Sequence, residues 1–190
     1  MEIENLLSVT TQAELLTWFA QNHKTEKVCW VTVSIKPEQG KLQYLDAVEA
    51  ALCFGWIDST KKKLSATQTV QRLSPRSKNS GWTELNKERV RRLERLNLMT
   101  DAGRARLPNM DKSSFLIDSE IKACIDHDPV LLQNFTKLPE LYTRIRIDTI
   151  QSVRTDPETY EKRLNKFLSA LRDGKMIGQW HDGGRLWPMK

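Results

Sequence analysis

The feature that most constrains the fold is a change of hydrophobic period along the chain. Residues 29–35 alternate strictly and are rich in β-branched side chains, which is the pattern of a half-buried β-strand. Residues 57–63 and 67–73 have strand character and are close enough in sequence to form a hairpin. From Asp118 onward only helical spacing remains. The sequence therefore predicts an α+β fold, with a small, mainly antiparallel sheet packed with helices and then an all-helical C-terminal subdomain.

Capping residues mark the ends of the predicted helices. Thr11 and Glu14 form a capping box before the first helix, which is expected to end near residue 22. A second helix is expected over about 45–54, with Gly55 as its C′ residue, because glycine adopts the left-handed conformation at the least cost. The other predicted helix starts are Thr83, Thr100, Asp128-Pro129, Pro139 and Asp156-Pro157.

The chain is long enough to form its own core. Its 190 residues, 39% hydrophobic and 28% charged, have an ordinary globular composition. We expect an α+β core over 1–112, a helical subdomain over 113–175 and a tail over 176–190. The tail contains Trp180 and Trp187, so we expect it to dock on the rest of the protein.

Composition and the N-terminal residues favour a cytoplasmic protein. No stretch approaches the ~20 apolar residues of a membrane span. The first residues lack the basic-then-apolar order of a signal peptide. Cys29, Cys53 and Cys124 are an odd, widely spaced set among apolar neighbours, so we expect three buried, reduced thiols. The oligomeric state does not follow from the sequence.

Positive charge is concentrated in the middle of the chain. Residues 61–106 contain 13 lysines and arginines against 4 acidic residues. Such a segment favours an anionic partner, including weak binding of nucleic acid, although a solvated helix face has the same composition. The candidate nucleic-acid contacts are Lys61, Lys62, Lys63, Lys87, Arg91 and Arg95.

Several motifs in the first half of the chain stand in a fixed order. The longest is Tyr44–Asp58, YLDAVEAALCFGWID. The others are Leu73-Ser74-Pro75-Arg76, then Ser80-x-Trp82 with Asn86, and then Leu98-Met99-Thr100-x-Ala102-Gly103. Together they resemble the YdeI/OmpD-associated (OmdA, "bacteriocin-protection") family over roughly residues 10–106. Asn97-Leu98 departs from the family's Gly-Arg at this point, and the tryptophan-containing tail is also a departure.

The resemblance implies a bacterial, non-enzymatic binding or stress-tolerance protein and carries no established reaction with it. The polar and aromatic residues that match the family are Trp56, Asp58, Arg76, Ser80, Trp82 and Asn86. They could form a ligand site, in which Arg76 would hold a carboxylate or phosphate and a tryptophan would stack on a ring. Alternatively, Asp58 and Arg76 pair to fix a loop and the tryptophans belong to the core.

Strand alternation makes these expectations specific. Trp56 and Asp58 should share one face of the strand, and Ile57 should point to the other face and join the core. Asp58 and Arg76 should then lie within salt-bridge distance, beside the ring of Trp56 or Trp82. A cluster open to solvent would favour the ligand site, and a sealed cluster would favour the structural role.

Patterns typical of common enzymes are missing from the sequence. There is no Gly-x-Ser-x-Gly elbow, P-loop or dinucleotide fingerprint. Cys124-x-x-His127 has no second ligand pair at zinc-site spacing, so no metal and no cofactor are expected. An enzyme of unrecognised type that uses an anion pocket near Asp58 and Arg76 remains an alternative.

Overall fold

A four-stranded sheet lies in the N-terminal half of the chain. The computed structural model describes residues 2–77 and 80–186. The strands are β1 (Leu6–Leu7), β2 (Cys29–Val33), β3 (Trp56–Lys63) and β4 (Thr69–Pro75), in the spatial order β1-β2-β4-β3. β1 pairs with β2 in parallel, and the other two pairings are antiparallel. The mainly antiparallel sheet is therefore confirmed, and β1 is an addition that the sequence did not predict.

Helices make up about half of the described residues outside the sheet. They are α1 (Gln12–Asn22), α2 (Tyr44–Cys53), α3 (Glu84–Arg95), α4 (Asp101–Arg104), α5 (Ser119–Asp126), α6 (Pro129–Phe135), α7 (Glu140–Gln151) and α8 (Pro157–Arg172). Lys112–Ser114 and Asp182–Gly184 are short 3₁₀ helices. The α+β class with a helical C-terminal part is confirmed. None of the described helices combines the length and the apolar character that a bilayer span requires.

The helix caps form as the sequence predicts. The Glu14 amide donates to the Thr11 hydroxyl at 3.2 Å, and the Thr11 amide donates to the Glu14 carboxylate at 3.2 Å. Asp128 and Asp156 cap α6 and α8, and each precedes a proline in the first turn. Gly55 follows α2 with φ +72°, the left-handed conformation expected of a C′ residue.

Contacts group the chain into two compact units. Unit 1 comprises residues 1–81 and 89–108, and unit 2 comprises residues 82–88 and 109–190. The first part of α3 therefore belongs to unit 2 and the rest of the helix to unit 1. The boundaries predicted at 112/113 and 175/176 stay predictions.

The core of unit 1 lies between the sheet and its first two helices. Leu15 and Phe19 of α1 and Ala47 of α2 are fully buried there against the strand residues Val31 and Leu73. Trp56 joins this core at 1% exposure. The core of unit 2 consists of residues from α5 to α8 together with the tail, namely Ile121, Ile125, Leu131, Tyr142, Ile145, Ile147, Ile150, Phe167, Leu171 and Trp180.

The prediction that Ile57 joins the core is wrong. Ile57 is half-buried, and Trp56 takes the core position on β3. In the register with β4, Trp56 lies opposite Pro75 and Asp58 opposite Leu73. Trp56 and Asp58 therefore do share a face, but it is the face that the helices cover. The larger apolar ring excludes more water there than isoleucine would.

The predicted burial of the three cysteines is only partly confirmed. Cys29 and Cys53 are buried, but Cys124 is exposed, so the prediction of three buried thiols is wrong for Cys124. Cys124 lies on α5, whose buried positions are Ile121 and Ile125.

The tail was predicted to dock through its tryptophans. Trp180 is 6% exposed and its ring packs edge-on against Tyr142 at 5.4 Å, whereas Trp187 lies outside the described residues.

Candidate functional site

Asp58 and Arg76, two polar residues of the predicted site, lie where the α2–β3 junction meets the end of β4. Tyr44, the first residue of α2, donates a 2.6 Å hydrogen bond from its hydroxyl to the carboxylate of Asp58. The backbone amide of Arg76 donates to the Gly55 carbonyl at 2.9 Å. Trp56, Asp58 and Arg76 are thus parts of one local structure, built from the end of a helix and two paired strands.

Arg76 is a buried side chain that reaches its own loop. It is 4% exposed, and its Nη2 donates to the Gly81 carbonyl at 2.6 Å. Burial lowers the pKa of the Arg76 guanidinium, and the negative charge of Asp58 partly offsets this effect. The direct Asp58–Arg76 ion pair stays a prediction. What the structure does show is an arginine that ties the end of β4 to Gly81 from a position sealed against solvent.

Ser80 and Asn86 make local hydrogen bonds, and the ligand-binding role of these residues stays a prediction. The Ser80 hydroxyl donates to the Ser77 carbonyl at 3.0 Å. The backbone amide of Asn86 donates to the Thr83 hydroxyl at 3.2 Å, so Thr83 acts at the N-terminus of α3 as the sequence predicted. Trp82 is half-buried. Trp82 and Asn86 are grouped with unit 2, whereas Trp56, Asp58, Arg76 and Ser80 are grouped with unit 1.

The candidate nucleic-acid contacts differ in how exposed their charged groups are. Lys61 and Lys63 are exposed on β3, and the Lys62 ammonium lies 5.8 Å from the centre of the Trp30 ring. Lys87 is 2.8 Å from Glu84 with only 14% of its side chain exposed. Arg91 is half-buried and Arg95 exposed. The predicted basic stripe on α3 therefore starts with a lysine whose charge is already matched, and its role in nucleic-acid binding stays a prediction.

Gly55 and Trp56 line a cavity of about 380 Å³ within unit 1, which we call the Gly55 cavity. Its charged and aromatic lining is His23, Lys24, Lys27, Arg106, Phe54 and Trp56, with Glu26 as the acidic member. Pro75, Ala102 and Ala105 complete the wall. The FGW stretch at the end of α2 therefore forms both a helix cap and part of a cavity wall.

The backbone at Gly55 makes this wall possible. A Cβ atom at Gly55 would lie 2.7 Å from Cγ of Arg106 and 2.9 Å from the Ala102 carbonyl oxygen. Both distances are shorter than real Cβ contacts. Glycine is therefore required twice, for the left-handed turn and for the close approach of the segment that carries Arg106.

His23 places an unsatisfied polar atom beside the cavity. Its Nδ1 is 2.8 Å from the Phe19 carbonyl, which only accepts, so Nδ1 carries the proton. Nε2 is buried and has no hydrogen-bond partner within the described residues. The ring also packs at 5.1 Å from Phe54. With the proton on Nδ1, Nε2 is the acceptor nitrogen of the ring.

Trp56 is held rigidly at the same wall. Its ring packs edge-on against Trp18 at 6.0 Å and against Phe19 at 5.2 Å. Phe54 stacks on Phe19 at 5.5 Å with an interplanar angle of 18°. These contacts fix the aromatic part of the wall before any ligand arrives.

Cysteine chemistry is disfavoured in this unit. Burial raises the pKa of the Cys53 thiol, at the end of α2, to about 12, and burial does the same for Cys29. Neither residue would be a thiolate at neutral pH. Among the described residues no group of three or more histidine, cysteine, aspartate or glutamate side chains is arranged to hold a metal ion.

Two family models match different parts of the chain. Residues 7–106 match the family model described as "Domain of unknown function (DUF8412)". This match covers more than half of the chain. The chain belongs to the DUF8412 family. The DUF8412 segment contains the whole Gly55 cavity and all six residues of the predicted site.

A second family model matches the helical part. Residues 114–174 match "Bacteriocin-protection, YdeI or OmpD-Associated" (OmdA), which confirms the family suspected from the sequence. The match falls on the helices after the DUF8412 segment, whereas the motifs that suggested the family lie within residues 10–106. We found no match among curated proteins or among solved structures.

Sequence reasoning missed most of the cavity's charged residues. His23, Lys24 and Lys27 follow α1, and Arg106 follows α4, so no spacing rule connects them to Gly55. One signal was present in the sequence: the motif Leu98-Met99-Thr100-x-Ala102-Gly103, which carries part of the family resemblance, ends three residues before Arg106.

Proposed function

We propose that this protein is a non-enzymatic binding protein whose ligand is a small anion with a flat apolar part, held in the Gly55 cavity. The observation that carries the proposal is the cavity itself, which joins rigid aromatic rings to a cationic lining within one unit. Its volume of about 380 Å³ lies in the range of small-molecule sites.

The charge of the lining supports an anionic ligand. Lys24, Lys27 and Arg106 contribute three positive charges, and Glu26 contributes one negative charge. The Glu26 carboxylate also accepts a 3.1 Å hydrogen bond from the Asn5 amide, which engages part of its acceptor capacity. A carboxylate or similar anion entering the cavity would be attracted by the excess positive charge.

The aromatic wall supports a flat apolar part in the ligand. Phe54 is half-buried and offers ring surface to the cavity, and its position is fixed by stacking on Phe19. The ring of Trp56 is 1% exposed and supports this wall from the core. Fixed rings lose little conformational entropy on binding, so they favour a planar group over a flexible chain.

This proposal moves the predicted ligand site by a short distance along the same motif. Trp56 is shared by both sites, and the Arg76 amide bonds to the Gly55 carbonyl. The sealed Arg76 guanidinium is better suited to holding the loop than to meeting a ligand, because it is 4% exposed. Asp58, Ser80, Trp82 and Asn86 are not among the residues that line the Gly55 cavity.

The cellular role is a further part of the proposal. The OmdA description names bacteriocin protection, and on that basis we propose a bacterial, cytoplasmic protein whose ligand binding contributes to tolerance of antibacterial peptides. The two buried thiols, with pKa raised to about 12, speak against thiolate catalysis in unit 1. Weak nucleic-acid binding through residues 61–106 stays the alternative.

The test is calorimetric titration with a matched pair of ligands. Benzoate carries the flat ring and the negative charge, and benzamide carries the ring without the charge. We expect binding of benzoate and much weaker binding of benzamide. Lys27→Gln and Arg106→Gln should each weaken benzoate binding by about threefold to tenfold, the size expected of partly exposed charge pairs.

Lys137→Gln is the control, because Lys137 is exposed and does not line the Gly55 cavity. It should leave benzoate binding unchanged. Equal binding of benzoate and benzamide, or benzoate binding that survives the Lys27→Gln/Arg106→Gln double variant, would show that the ligand is not held in this cavity by charge. A parallel assay would compare the peptide tolerance of cells expressing the wild type and the double variant.

A further inference from the structure

A second cavity, in unit 2, is lined by three cations. It has a volume of about 350 Å³ and lies between α7, α8 and the segment that follows α8. The cations are Arg146, Arg163 and Lys166. No acidic side chain is part of its lining. We propose that this cavity is a binding site for a small phosphomonoester dianion.

Helix spacing brings the three cations together. Arg146 and Ile150 are four residues apart on α7, and Thr149 lies between them on the same side. Arg163 and Lys166 are three residues apart on α8, which packs against α7. The positive charges of two neighbouring helices therefore meet at one cavity.

Arg146 is oriented by a backbone carbonyl and an aromatic ring. Its Nη2 donates to the Ile177 carbonyl at 2.6 Å, and its guanidinium lies 5.8 Å from the centre of the Tyr142 ring. Nε is buried and has no hydrogen-bond partner within the described residues. A charged group that is oriented in this way retains unused donor capacity.

Gly178 leaves the space that the Arg146 head group occupies. A Cβ atom at Gly178 would clash with Nη2 of Arg146 and lie 3.1 Å from its Cζ. Gly178 also has φ +72°, a left-handed conformation that disfavours a side chain at this position. The chain after α8 is thus shaped around the guanidinium.

Arg163 is likewise oriented by backbone. Its Nη1 donates to the Thr149 carbonyl at 2.5 Å, and this bond leaves the other guanidinium N–H groups available. The hydrogen bonds that Asp156 accepts from Thr159 lower the pKa of Asp156, and the charge of Arg163 adds a smaller effect in the same direction. Asp156 caps α8 and is not part of the cavity lining.

Three like charges around one cavity repel one another, and a bound anion removes this repulsion. A dianion matches the charge better than a monoanion, and guanidinium groups bind phosphate oxygens in pairs. The cavity is larger than a bare phosphate needs, and Ile150 and Ile177 form apolar walls. These features favour a phosphate that carries a small organic group.

The experiment is calorimetric titration in a phosphate-free buffer at constant ionic strength. The probes are glycerol 3-phosphate, inorganic phosphate and acetate. We expect glycerol 3-phosphate to bind at least as tightly as inorganic phosphate, and acetate to bind at least tenfold more weakly. Acetate binding that equals phosphate binding would overturn the dianion assignment, and the absence of binding by both phosphate probes at millimolar concentration would overturn the site.

The variants locate the site. Arg163→Gln and Lys166→Gln should each weaken glycerol 3-phosphate binding by about tenfold, the effect of losing a charged hydrogen bond. Lys162→Gln is the matched control, because Lys162 is exposed on the same helix and is outside the cavity, and it should change nothing. Unchanged binding in the Arg163→Gln/Lys166→Gln double variant would overturn the proposal.

Gly178→Ala tests the cavity without removing a charge. The added Cβ would displace the Arg146 head group, so phosphate binding should fall while circular dichroism shows a folded protein. Full phosphate binding by a folded Gly178→Ala variant would contradict the role of Arg146. None of these unit 2 variants should alter benzoate binding at the Gly55 cavity, so the two sites can succeed or fail separately.

Discussion

The Arg144 guanidinium lies 2.7 Å from the Glu84 carboxylate, and both side chains are at least 94% buried. Glu88 accepts a second hydrogen bond from Arg144 at 3.1 Å, also out of solvent. A buried pair of this kind gives little net stability by itself, but removing Arg144 takes one positive charge away from two buried carboxylates, although Lys87 still pairs with Glu84.

Arg144→Met should therefore destabilise the protein by about 3–5 kcal/mol in urea unfolding. Arg154→Met is the control, since Arg154 also contacts two acidic residues, Asp118 and Glu120, but is half exposed. It should cause little change, because solvent screens exposed ion pairs. Equal losses in the two variants would contradict the distinction between buried and exposed pairs.

Asp148 should make stability depend on pH. Burial raises the pKa of Asp148 above its usual value, and the nearby Glu84 carboxylate adds to this. The folded protein then binds a proton more tightly than the unfolded chain, so the contribution of Asp148 to stability falls as pH rises through its raised pKa. Below the ordinary pKa of about 3.8 the residue is protonated in both states, and its contribution is constant.

Asp148→Asn tests this sign. Asparagine keeps an oxygen for the 3.0 Å hydrogen bond from the Glu84 amide and removes the buried charge. The variant should be at least as stable as the wild type at pH 7, and its advantage should shrink as pH is lowered toward 4. A variant whose relative stability grows on acidification would show that the Asp148 carboxylate is favoured, not penalised, in the fold.

Gly55 and Gly40 form a matched pair of left-handed glycines. Their φ values are +72° and +73°, but a Cβ at Gly40 would meet nothing within 4 Å. Gly40→Ala should thus cost only the backbone strain, about 1–2 kcal/mol. Gly55→Ala should cost more in thermal unfolding, because its Cβ also clashes with Ala102 and Arg106. Equal costs would mean that the α4 segment moves away freely.

The three thiols should react at different rates. Cys124 is exposed, whereas Cys29 and Cys53 are buried with pKa raised to about 12. A thiol reagent should modify one cysteine rapidly in the folded protein and all three after denaturation without reductant. Rapid modification of two or more in the native state would place a buried cysteine within reach of solvent.

Arg76→Ala should destabilise the protein by about 2–3 kcal/mol, since it removes a charged hydrogen bond to Gly81 together with the packing of a buried chain. Arg72→Ala is the control, because Arg72 is half-buried and bonds only to the Ser59 and Ser74 hydroxyls in the described contacts. Its loss should be smaller. Near-normal stability of Arg76→Ala with lost peptide tolerance in cells would restore the ligand role that the motif first suggested.

Local rules predicted the parts of the fold that depend on neighbours in sequence. The Thr11 capping box and the left-handed Gly55 are set within a few residues, so the sequence alone was enough to find them. Alternation on β3 correctly put Trp56 and Asp58 on one face, but it cannot say which face the helices cover. That choice depends on α1 and α2, and it decided between Trp56 and Ile57.

The central position of β4 in the sheet could not be predicted from its residues. Its sequence is mostly polar, yet β4 lies between β2 and β3, with Val70 fully buried and Gln71 2% exposed. The Gln71 amide is satisfied by the Thr60 carbonyl at 3.2 Å, so a polar side chain fits a buried position. The cavity lining was missed for a related reason, because His23 and Arg106 meet Gly55 only through the tertiary fold.

The spatial order of the strands gives the lysine run on β3 a different meaning. Within the described sheet β3 pairs with β4 alone, so its other side is an edge. An edge strand with free backbone groups invites pairing with a second molecule, and lysine side chains oppose this through charge repulsion and strong hydration. Lys61 and Lys63 are exposed on that strand. The three lysines after Gly-Trp-Ile-Asp thereby oppose aggregation through addition of a strand at the β3 edge.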